Sequence, residues 1–332
     1  MYKSEFDTIK SRIFLDSCIN EFENLALSIF KLQYQTNNTY RQYVDFLNVN
    51  PEKVKEVKDI VFLPVSFFKD LKILSGLTET DLVFFSSGTT ASNPSKHYIA
   101  DPYLYKQSLI QSFKQFYGDP SEYCFLALLP GYLERQGSSL VYMVNELMGL
   151  SGHGDNGFYL SDFEQLKNKI LKLKVKKQKY ILIGVTYSLI DFGNAYSIDL
   201  SDGIVMETGG MKGIRKELVK AEIHEFLKSK FNLSSIHSEY GMTELLSQAY
   251  SAGDGIYSSP HWMKILIRDV YDPFNYVPDG NSGGINIIDL ANLYSCAFIE
   301  TKDLGKIRQN GQFEILGRFD DSDIRGCNLM VS

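Results

Sequence analysis

The spacing of apolar residues divides the chain into three predicted regions. Over residues 1–80, Phe6, Ile9 and Ile13 recur at helical spacing, as do apolar residues further along, so this region is predicted to be helical. Over residues 81–260, short apolar runs alternate with amphipathic stretches. Over residues 261–332, apolar runs follow one another closely between glycine-rich turns. We therefore expect a helical N-terminal segment, an α/β core and a β-rich subdomain.

The middle region has the pattern of a parallel α/β sheet. Its apolar runs predict strands at 82–85, 123–129, 180–185, 203–206 and 235–239. The stretches between them predict helices at 103–117, 138–150, 161–174 and 213–231. Strands and helices that alternate in this way form a mostly parallel sheet with helices on both faces.

The last region predicts an antiparallel subdomain. Its strands are expected near 262–267, 284–289, 295–300 and 312–316. In the first region, the apolar segment 60–64 ends at Pro64, which limits it to an edge strand or a loop because proline has no N–H to donate.

Composition narrows the class of protein. The 332 residues are 44% hydrophobic and 22% charged, and 34 basic against 40 acidic residues give a net charge of −6. This favours a soluble globular enzyme and argues against a disordered chain or a general nucleic-acid binder. No apolar stretch is long enough to cross a bilayer, and the first residues contain no apolar signal core. We predict a cytoplasmic protein without a membrane span.

The cysteines show no pairing pattern. Cys18, Cys124, Cys296 and Cys327 include no CxxC pair, so neither a zinc site nor a disulfide scaffold is indicated. We expect free thiols.

The first stretch with candidate chemistry is Phe-Phe-Ser-Ser-Gly-Thr-Thr-Ala-Ser-Asn-Pro-Ser-Lys, residues 84–96. Backbone N–H groups and hydroxyls in such a loop can converge on an anion, and Lys96 adds a positive charge that suits phosphate. The spacing differs from that of a Walker-type loop. A flexible Ser/Thr turn is the alternative interpretation.

Two more stretches follow predicted strands. In Ser-Glu-Tyr-Gly-Met-Thr-Glu, residues 238–244, Tyr240 can lie against an aromatic base and Glu244 can hold Mg²⁺. In residues 300–321, Asp303 can accept hydrogen bonds from ribose hydroxyls and Arg318 can pair with phosphate. A surface turn with an Arg–Asp ion pair is the plain alternative.

The order and content of these stretches resemble the adenylate-forming superfamily of acyl-CoA synthetases, peptide-synthetase adenylation domains and luciferases. Residues 86–96 resemble its phosphate loop, although Ala91 stands where the usual loop has glycine and an extra residue precedes the Pro–Lys pair. Residues 240–244 resemble its YGxTE motif, and Asp303 lies where the family has its ribose-binding Asp. Residues 317–326 resemble GRxDDxIKxxG, with Arg325 in place of Lys.

Within that superfamily the chain resembles the LuxE-type acyl-protein synthetases, with phenylacetate-CoA ligases as the nearest other relatives. Three stretches carry this resemblance: Phe-Leu-Pro-Val-Ser-Phe-Phe-Lys at 62–69, Glu-Thr-Gly-Gly-Met-Lys-Gly-Ile-Arg at 207–215 and Arg-Gly-Cys-Asn-Leu at 325–329. It implies a large adenylate-forming N-terminal domain. The sequence ends six residues after Gly326, where typical members continue into a mobile lid that carries a catalytic lysine. We therefore expect the lid to be absent. Either other cations replace its lysine, with Lys96, Lys212 and Arg215 as internal candidates, or another chain supplies one, or activity is low.

The resemblance implies that a fatty or other apolar carboxylic acid attacks ATP, in the presence of Mg²⁺, and forms acyl-AMP. The acyl group then passes to a thiol, in the service of an acyl-CoA-reductase-like partner. The implied catalytic residues are Cys327, Lys96, Glu244 and Arg318, and the implied metal ligands are Thr89 and Glu244. The implied nucleotide-binding residues are Ser86, Ser87, Gly88, Thr89, Thr90, Gly209, Gly210, Tyr240, Gly241, Thr243, Asp303 and Arg318.

The resemblance also makes Cys327 the candidate acyl carrier, because family members of this type carry the acyl chain on a cysteine near the C-terminus. A thiolate is a good acceptor for an activated acyl group. An unreactive thiol packed in a last strand is the alternative. Two other functions stay open: an AMP-forming acyl- or aryl-CoA ligase, and a non-catalytic nucleotide- or acyl-binding component.

Overall fold

The computed structural model describes residues 2–76, 79–80, 82–86, 93–130, 137–209 and 220–319. The chain divides into two compact units. The first unit combines Met1–Thr78 with His261–Ser332, and the second is Glu79–Pro260. Both ends of the chain therefore contribute to the same unit.

The helices and strands are named here in chain order. The α-helices are α1 (Lys3–Lys10), α2 (Cys18–Thr36), α3 (Asn38–Phe46), α4 (Phe67–Asp70), α5 (Pro102–Tyr117), α6 (Ser139–Ser151), α7 (Phe163–Val175), α8 (Thr186–Ala195) and α9 (Lys220–Phe231). The strands are β1 (Leu63–Pro64), β2 (Leu82–Phe85), β3 (Lys96–Ile99), β4 (Cys124–Leu128), β5 (Gly157–Phe158), β6 (Tyr180–Val185), β7 (Ile204–Thr208), β8 (His237–Tyr240), β9 (Ala249–Ser251), β10 (Ile256–Tyr257), β11 (Met263–Arg268), β12 (Ser282–Asp289), β13 (Phe298–Ile307) and β14 (Phe313–Arg318). Short 3-10 turns lie at Pro51–Lys53, Val57–Asp59 and Pro120–Glu122.

The second unit is built on a sheet in the order β5-β4-β6-β7-β8-β9, parallel except for β9. Every residue of β4 and β6 is buried, as expected for apolar strands covered on both faces. Helices α7, α8 and α9 share one apolar core with alternate residues of β4 and β6 and with Val205 of β7. On the opposite face, Phe113 of α5 packs against Phe125 of β4, with ring centroids 5.6 Å apart. The α/β fold class is thereby confirmed.

Local sequence sets where the helices on this sheet begin. The Asp101 side chain accepts the N–H of Leu104 at 2.9 Å at the start of α5. Asp162 plays the same role for α7, and Ser138 for α6. Such caps satisfy N–H groups that have no partner inside the helix.

The first unit holds the predicted antiparallel subdomain. Its strands lie in the order β14-β13-β12-β11, with β1 added in parallel beside β13, where Pro64 pairs with Glu300. The antiparallel prediction is confirmed. Strand β13 continues to Ile307, beyond the predicted end at residue 300, because its buried and half-buried residues keep alternating. Asp303 therefore lies within a strand.

Polar side chains join the N-terminal helices to this subdomain. The buried Gln33 of α2 donates to the carbonyls of Asn292 and Leu293 and accepts the N–H of Ala297. The Asn37 amide donates to the carbonyl of Ser295 at 3.0 Å. These bonds explain why segments so far apart in sequence fold as one unit, since buried polar groups need partners.

Candidate active site

The candidate site of the second unit begins where β7 and β8 end. These neighbouring parallel strands place Glu207 beside Ser238 and Thr208 beside Glu239. Gly209 follows β7 with a φ of +70°, a left-handed conformation that favours glycine. Ligands of open α/β sheets bind beyond the carboxyl ends of the strands. The two sequence motifs that contain Gly209 and Tyr240 therefore meet at the expected edge.

Glu207 is the centre of a buried polar network at this edge. Its carboxylate accepts hydrogen bonds from Ser238 Oγ at 2.9 Å and Thr186 Oγ1 at 2.7 Å. Lys220 Nζ lies 2.6 Å from Glu207 Oε1, and His224 Nε2 lies 3.5 Å from the same oxygen. Burial would raise the pKa of Glu207, but the contact with His224 and the charge of Lys220 outweigh it and lower that pKa to about 2. The carboxylate is therefore ionised at neutral pH.

The Glu207 network reaches both motifs. Thr186 Oγ1 also lies 2.8 Å from the carbonyl oxygen of Gly209, so one hydroxyl proton is shared between two acceptors. Lys220 bonds to the hydroxyl of Tyr257 and lies over its ring. The ring of Tyr257 meets that of Tyr240 edge-on at 6.0 Å. One network thus supports the backbone of Gly209 and the ring of Tyr240.

Glu239 lies on the opposite face of β8 and has a different environment. Its carboxyl accepts a hydrogen bond from Thr208 Oγ1 at 2.5 Å. The pKa of Glu239 is raised to about 7, chiefly by burial and further by the nearby charge of Glu207. The hydrogen bond from Thr208 and the charge of Lys220 oppose this rise. Neighbouring strands therefore carry one carboxyl that is firmly ionised and one that titrates near neutrality.

The hairpin of β2 and β3 carries the described part of the candidate phosphate loop. The N–H of Ser86 donates to the carbonyl of Ser95, and the N–H of Ser95 donates to Ser86 Oγ at 2.9 Å. This pair closes the base of the loop. Lys96 follows directly and pairs with Phe85 in the hairpin.

His97 joins this hairpin to the Tyr-Gly-Met-Thr-Glu turn. Its Nδ1 lies 2.8 Å from the carbonyl oxygen of Thr243. Because a carbonyl only accepts, Nδ1 carries the proton. The strand β3, which begins at Lys96, is thereby held against the turn that contains Thr243 and Glu244.

The turn itself is tightly packed. A Cβ atom on Gly241 would lie 2.5 Å from Glu239 Oε1, so this position requires glycine unless Glu239 moves. Tyr240 is 9% exposed, which leaves little of its ring open to a base. Glu244 is also buried.

Glu244 supplies a carboxylate, which is the kind of oxygen ligand that Mg²⁺ takes. Magnesium prefers oxygen ligands and usually takes only one or two carboxylates together with substrate phosphates. Within the described ranges, no group of three or more His, Cys, Asp and Glu side chains is arranged to hold a metal ion. A metal held by a single carboxylate would take its remaining ligands from the nucleotide phosphates and water.

Asp303 and Arg318 are brought together in the first unit. They are cross-strand partners in β13 and β14, and Arg318 Nε lies 3.3 Å from Asp303 Oδ1. The Asp303 N–H also donates to Thr301 Oγ1 at 3.0 Å. The sequence left open a nucleotide role and an Arg–Asp ion pair, and the ion pair is present.

Several predicted site residues lie outside the described part of the chain. They are Ser87, Gly88, Thr89, Thr90, Gly210 and Cys327, together with the internal cation candidates Lys212 and Arg215.

The three described cysteines are buried and free. Burial raises the pKa of Cys18 to about 11 and the pKa values of Cys124 and Cys296 to about 12. Each is therefore a protonated, poorly nucleophilic thiol at neutral pH.

Sequence reasoning assigned no role to Glu207, Glu239, His97 or Lys220. A signal for the first two was present, since an acidic residue ends each of the runs Ile-Val-Met-Glu and His-Ser-Glu. Charged residues are seldom fully buried unless they are paired, so a carboxyl at the end of a buried strand indicates a partner. Lys220, which pairs with Glu207, and His97, which contacts the Thr243 carbonyl, come from segments whose approach no local pattern reveals.

No helix among the residues that the structure covers combines the length and the apolar character that a membrane span requires.

Comparison with known proteins gives one family match. A family model described as acyl-protein synthetase, LuxE, matches residues 156–332, which is more than half of the chain. No curated protein sequence matches.

Several solved structures share the fold at low identity. ATP-bound MatB from Rhodopseudomonas palustris is 17% identical, with a TM-score of 0.56 over 73% of this chain and 49% of its own. 2-Hydroxyisobutyryl-CoA ligase in the postadenylation state with 2-HIB-AMP is 12% identical, with a TM-score of 0.64 over 91% and 69%. O-succinylbenzoate coenzyme A synthetase (MenE) from Bacillus subtilis, with ATP and magnesium, is 15% identical, with a TM-score of 0.54 over 79% and 54%. The chain spans about half the length of the first structures it matches. The fold is that of adenylate-forming enzymes.

Proposed function

Because the chain belongs to the LuxE acyl-protein synthetase family, we propose that it uses ATP to activate a carboxylic acid and passes the acyl group to a thiol. The observation that carries this proposal is the bond between His97 and Thr243, which joins the hairpin of the phosphate loop to the Tyr-Gly-Met-Thr-Glu turn. The turn follows β8 at its carboxyl end, where open α/β sheets bind ligands.

The proposed reaction has two steps. In the first, a carboxylate oxygen of the acid bonds to the α-phosphorus of ATP, and the bond from that phosphorus to the departing pyrophosphate breaks. In the second, a thiolate sulfur attacks the acyl carbon of the mixed anhydride, and AMP leaves with the electron pair of the broken C–O bond. The first step concentrates negative charge on phosphoryl oxygens, so nearby cations and N–H groups assist it.

The described residues have distinct roles in this proposal. Lys96 binds a phosphate, and Thr243 and Gly241 form the turn beside the nucleotide. Bound Mg²⁺ would neutralise phosphate charge, and Glu244 would hold it together with Thr89. The remaining nucleotide contacts are assigned to Ser86, Ser87, Gly88, Thr90, Gly209, Gly210, Tyr240, Asp303 and Arg318.

Cys327 is the proposed acyl carrier. The other cysteines support this assignment, because Cys18, Cys124 and Cys296 are buried thiols with raised pKa values. None of these three suits a role that requires an accessible thiolate.

The proposed acid is a fatty acid or another acid with a mainly apolar chain, and the proposed recipient is an acyl-CoA-reductase-like protein. Coenzyme A as the final acceptor is a second candidate. It is favoured by the structural neighbours, since 2-hydroxyisobutyryl-CoA ligase and O-succinylbenzoate coenzyme A synthetase are both named for this acceptor.

Acid-dependent exchange of pyrophosphate into ATP tests the proposal. Exchange with at least one acid, from acetate to palmitate or among aryl acids, is the expected result. Adding coenzyme A afterwards and measuring the acyl-CoA formed separates the two acceptors. Binding of ATP without exchange for any acid would instead favour a non-catalytic nucleotide-binding component.

A further inference from the structure

The face of the sheet that α5 covers carries a row of polar side chains. Thr208 and Glu239 are register partners and are hydrogen-bonded to each other. Glu239 and Tyr250 are partners in the antiparallel pair β8–β9, so both side chains point to the same face. The ring of Tyr250 packs against Phe116 and Tyr117 at centroid distances of 5.4 and 5.3 Å. The row therefore runs from β7 to β9 beneath α5.

Three buried polar atoms in this area have no hydrogen-bond partner among the described residues. They are Tyr250 Oη, Gln248 Oε1 and Ser112 Oγ. The three residues are 3%, 5% and 0% exposed. A buried polar atom without a partner is costly, and its presence calls for a water or a ligand that supplies the missing bond.

Gln248 lies next to Glu239. Both side chains approach the same point, the position that a Cβ atom on Gly241 would occupy. From that point Glu239 Oε1 is 2.5 Å away and Gln248 Cγ is 3.5 Å away. The carboxyl and the amide thus border the turn in which the nucleotide motif lies.

Ser112 approaches from the helix. It lies one turn after Ser108 and one turn before Phe116, so the three residues share one face of α5. Ser108 Oγ is 2.9 Å from Ser247 Oγ, and Phe116 contacts Tyr250. Ser112 therefore faces the chain between residues 247 and 250, where Gln248 is located.

We propose that Glu239, Gln248, Tyr250 and Ser112 form a polar subsite that binds a hydroxyl group on the acid substrate. This inference rests on the proposed function and refines it: the acid has a mainly apolar chain that carries one hydroxyl. The subsite adjoins Gly241 and is therefore next to the turn assigned to the nucleotide.

A hydroxyl suits this set of atoms better than other groups do. The amide oxygen of Gln248 only accepts, whereas the hydroxyls of Ser112 and Tyr250 both donate and accept. A hydroxyl also does both and carries no charge. The pKa of Glu239, raised to about 7 by burial, leaves its carboxyl partly protonated near neutrality, so it can also donate or accept.

In the exchange assay we expect a strong preference for a hydroxy acid over the corresponding unsubstituted acid. Straight-chain acids from acetate to palmitate are compared with their α-, β- and ω-hydroxy counterparts. The best hydroxy acid is expected to exceed its unsubstituted parent in kcat/KM by about 100-fold or more, because a site built to bond a hydroxyl leaves its polar groups unpaired with the parent acid.

Two variants test whether the subsite residues cause this preference for a hydroxy acid. Tyr250→Phe and Ser112→Ala each remove one hydroxyl, and each is expected to reduce the preference by about tenfold. The KM for ATP should stay unchanged in both. Tyr180→Phe is the matched control, because Tyr180 is also a buried tyrosine whose hydroxyl lacks a described partner, but it lies at the start of β6.

The outcomes separate this inference from the proposed function. A preference that is lost in Tyr250→Phe or Ser112→Ala but kept in Tyr180→Phe supports the subsite. Equal exchange with hydroxylated and plain acids overturns the inference and leaves the proposed function intact. So does a preference that survives in both subsite variants. Absence of exchange with every acid overturns both.

Discussion

The imidazole Nδ1 of His97 lies 2.8 Å from the carbonyl oxygen of Thr243, across 146 residues of sequence. This contact fixes the β2–β3 hairpin against the Tyr-Gly-Met-Thr-Glu turn. The hairpin carries Lys96 and the turn carries Glu244, so this hydrogen bond helps to set the relative placement of a proposed phosphate ligand and a proposed metal ligand.

We predict that His97→Ala weakens ATP use more than it weakens the fold. Loss of one hydrogen bond is worth about 0.5–1.5 kcal/mol, so the KM for ATP should rise by roughly 2- to 10-fold. His97→Asn, whose amide can donate from nearly the position of Nδ1, should restore most of the affinity. His153→Ala is the control, since the His153 ring accepts an N–H from Asp155 in a separate turn. An unchanged KM for ATP in His97→Ala would contradict this role.

Removing one member of the Glu207–Lys220 ion pair should destabilise the fold more than removing both. Lys220→Met leaves the Glu207 carboxylate buried without its main cation and is expected to lower the free energy of unfolding by about 2–4 kcal/mol. The loss is moderated because the Lys220 side chain is 34% exposed. Urea unfolding of Lys220→Met, Glu207→Gln and the double variant measures the coupling. The double variant should be more stable than Lys220→Met alone. A loss in the double variant equal to the sum of the two single losses would instead show that the two groups act independently.

The titration of Glu239 should make the stability of the folded protein depend on pH. Its pKa rises from 4.5 in the unfolded chain to about 7 in the folded protein, so the folded state binds more protons between these values. Stability should therefore fall as pH increases from 4.5 to 7, relative to Glu239→Gln, by about 1–3 kcal/mol. The groups around Glu239 are Thr208, Tyr117, Tyr250 and His237 on its own face, with Glu207 and Lys220 opposite.

The neighbours of Glu239 do not reverse this sign. Burial lowers the pKa of His237 and raises the pKa values of Tyr117 and Tyr250. All three groups are also present in Glu239→Gln, so their own titration cancels in the comparison. Unfolding curves of the two proteins at several pH values test the prediction. A difference between them that stays constant from pH 4.5 to 7 would disprove it.

Cys327→Ser should separate the two steps of the proposed reaction. The variant is expected to keep acid-dependent pyrophosphate exchange and to lose covalent acyl label after denaturation, because a thioester requires the sulfur. Intact-protein mass measures the label directly. Cys124→Ser is the control, since Cys124 is buried in β4 and should not carry the acyl group. Label retained by Cys327→Ser would rule out this carrier.

The fold was predictable wherever local pattern determines structure. Strands β4 and β6 are continuous apolar runs, and Asp101 and Asp162 mark helix starts. The sequence pattern does not predict helix α8, because this helix follows β6 without a break and the apolar run continues through both. Periodicity alone cannot separate a buried strand from a buried helix that adjoins it.

The site was less predictable, for a physical reason. Tyr240, Gly241 and Glu244 form a local motif, and the structure places them at the expected edge of the sheet. The residues that hold this edge together, such as Glu207 with Lys220, act through partners from other elements. Such pairs depend on strand order and helix placement, which no local spacing encodes.

The central claim is that a carboxylate oxygen of the substrate attacks the α-phosphorus of ATP. The most direct measurement uses an acid whose carboxyl group is labelled with oxygen-18, with the products analysed by mass spectrometry. AMP is expected to acquire one heavy oxygen from the acid. Label in inorganic phosphate accompanied by ADP, or product AMP without label, would contradict it.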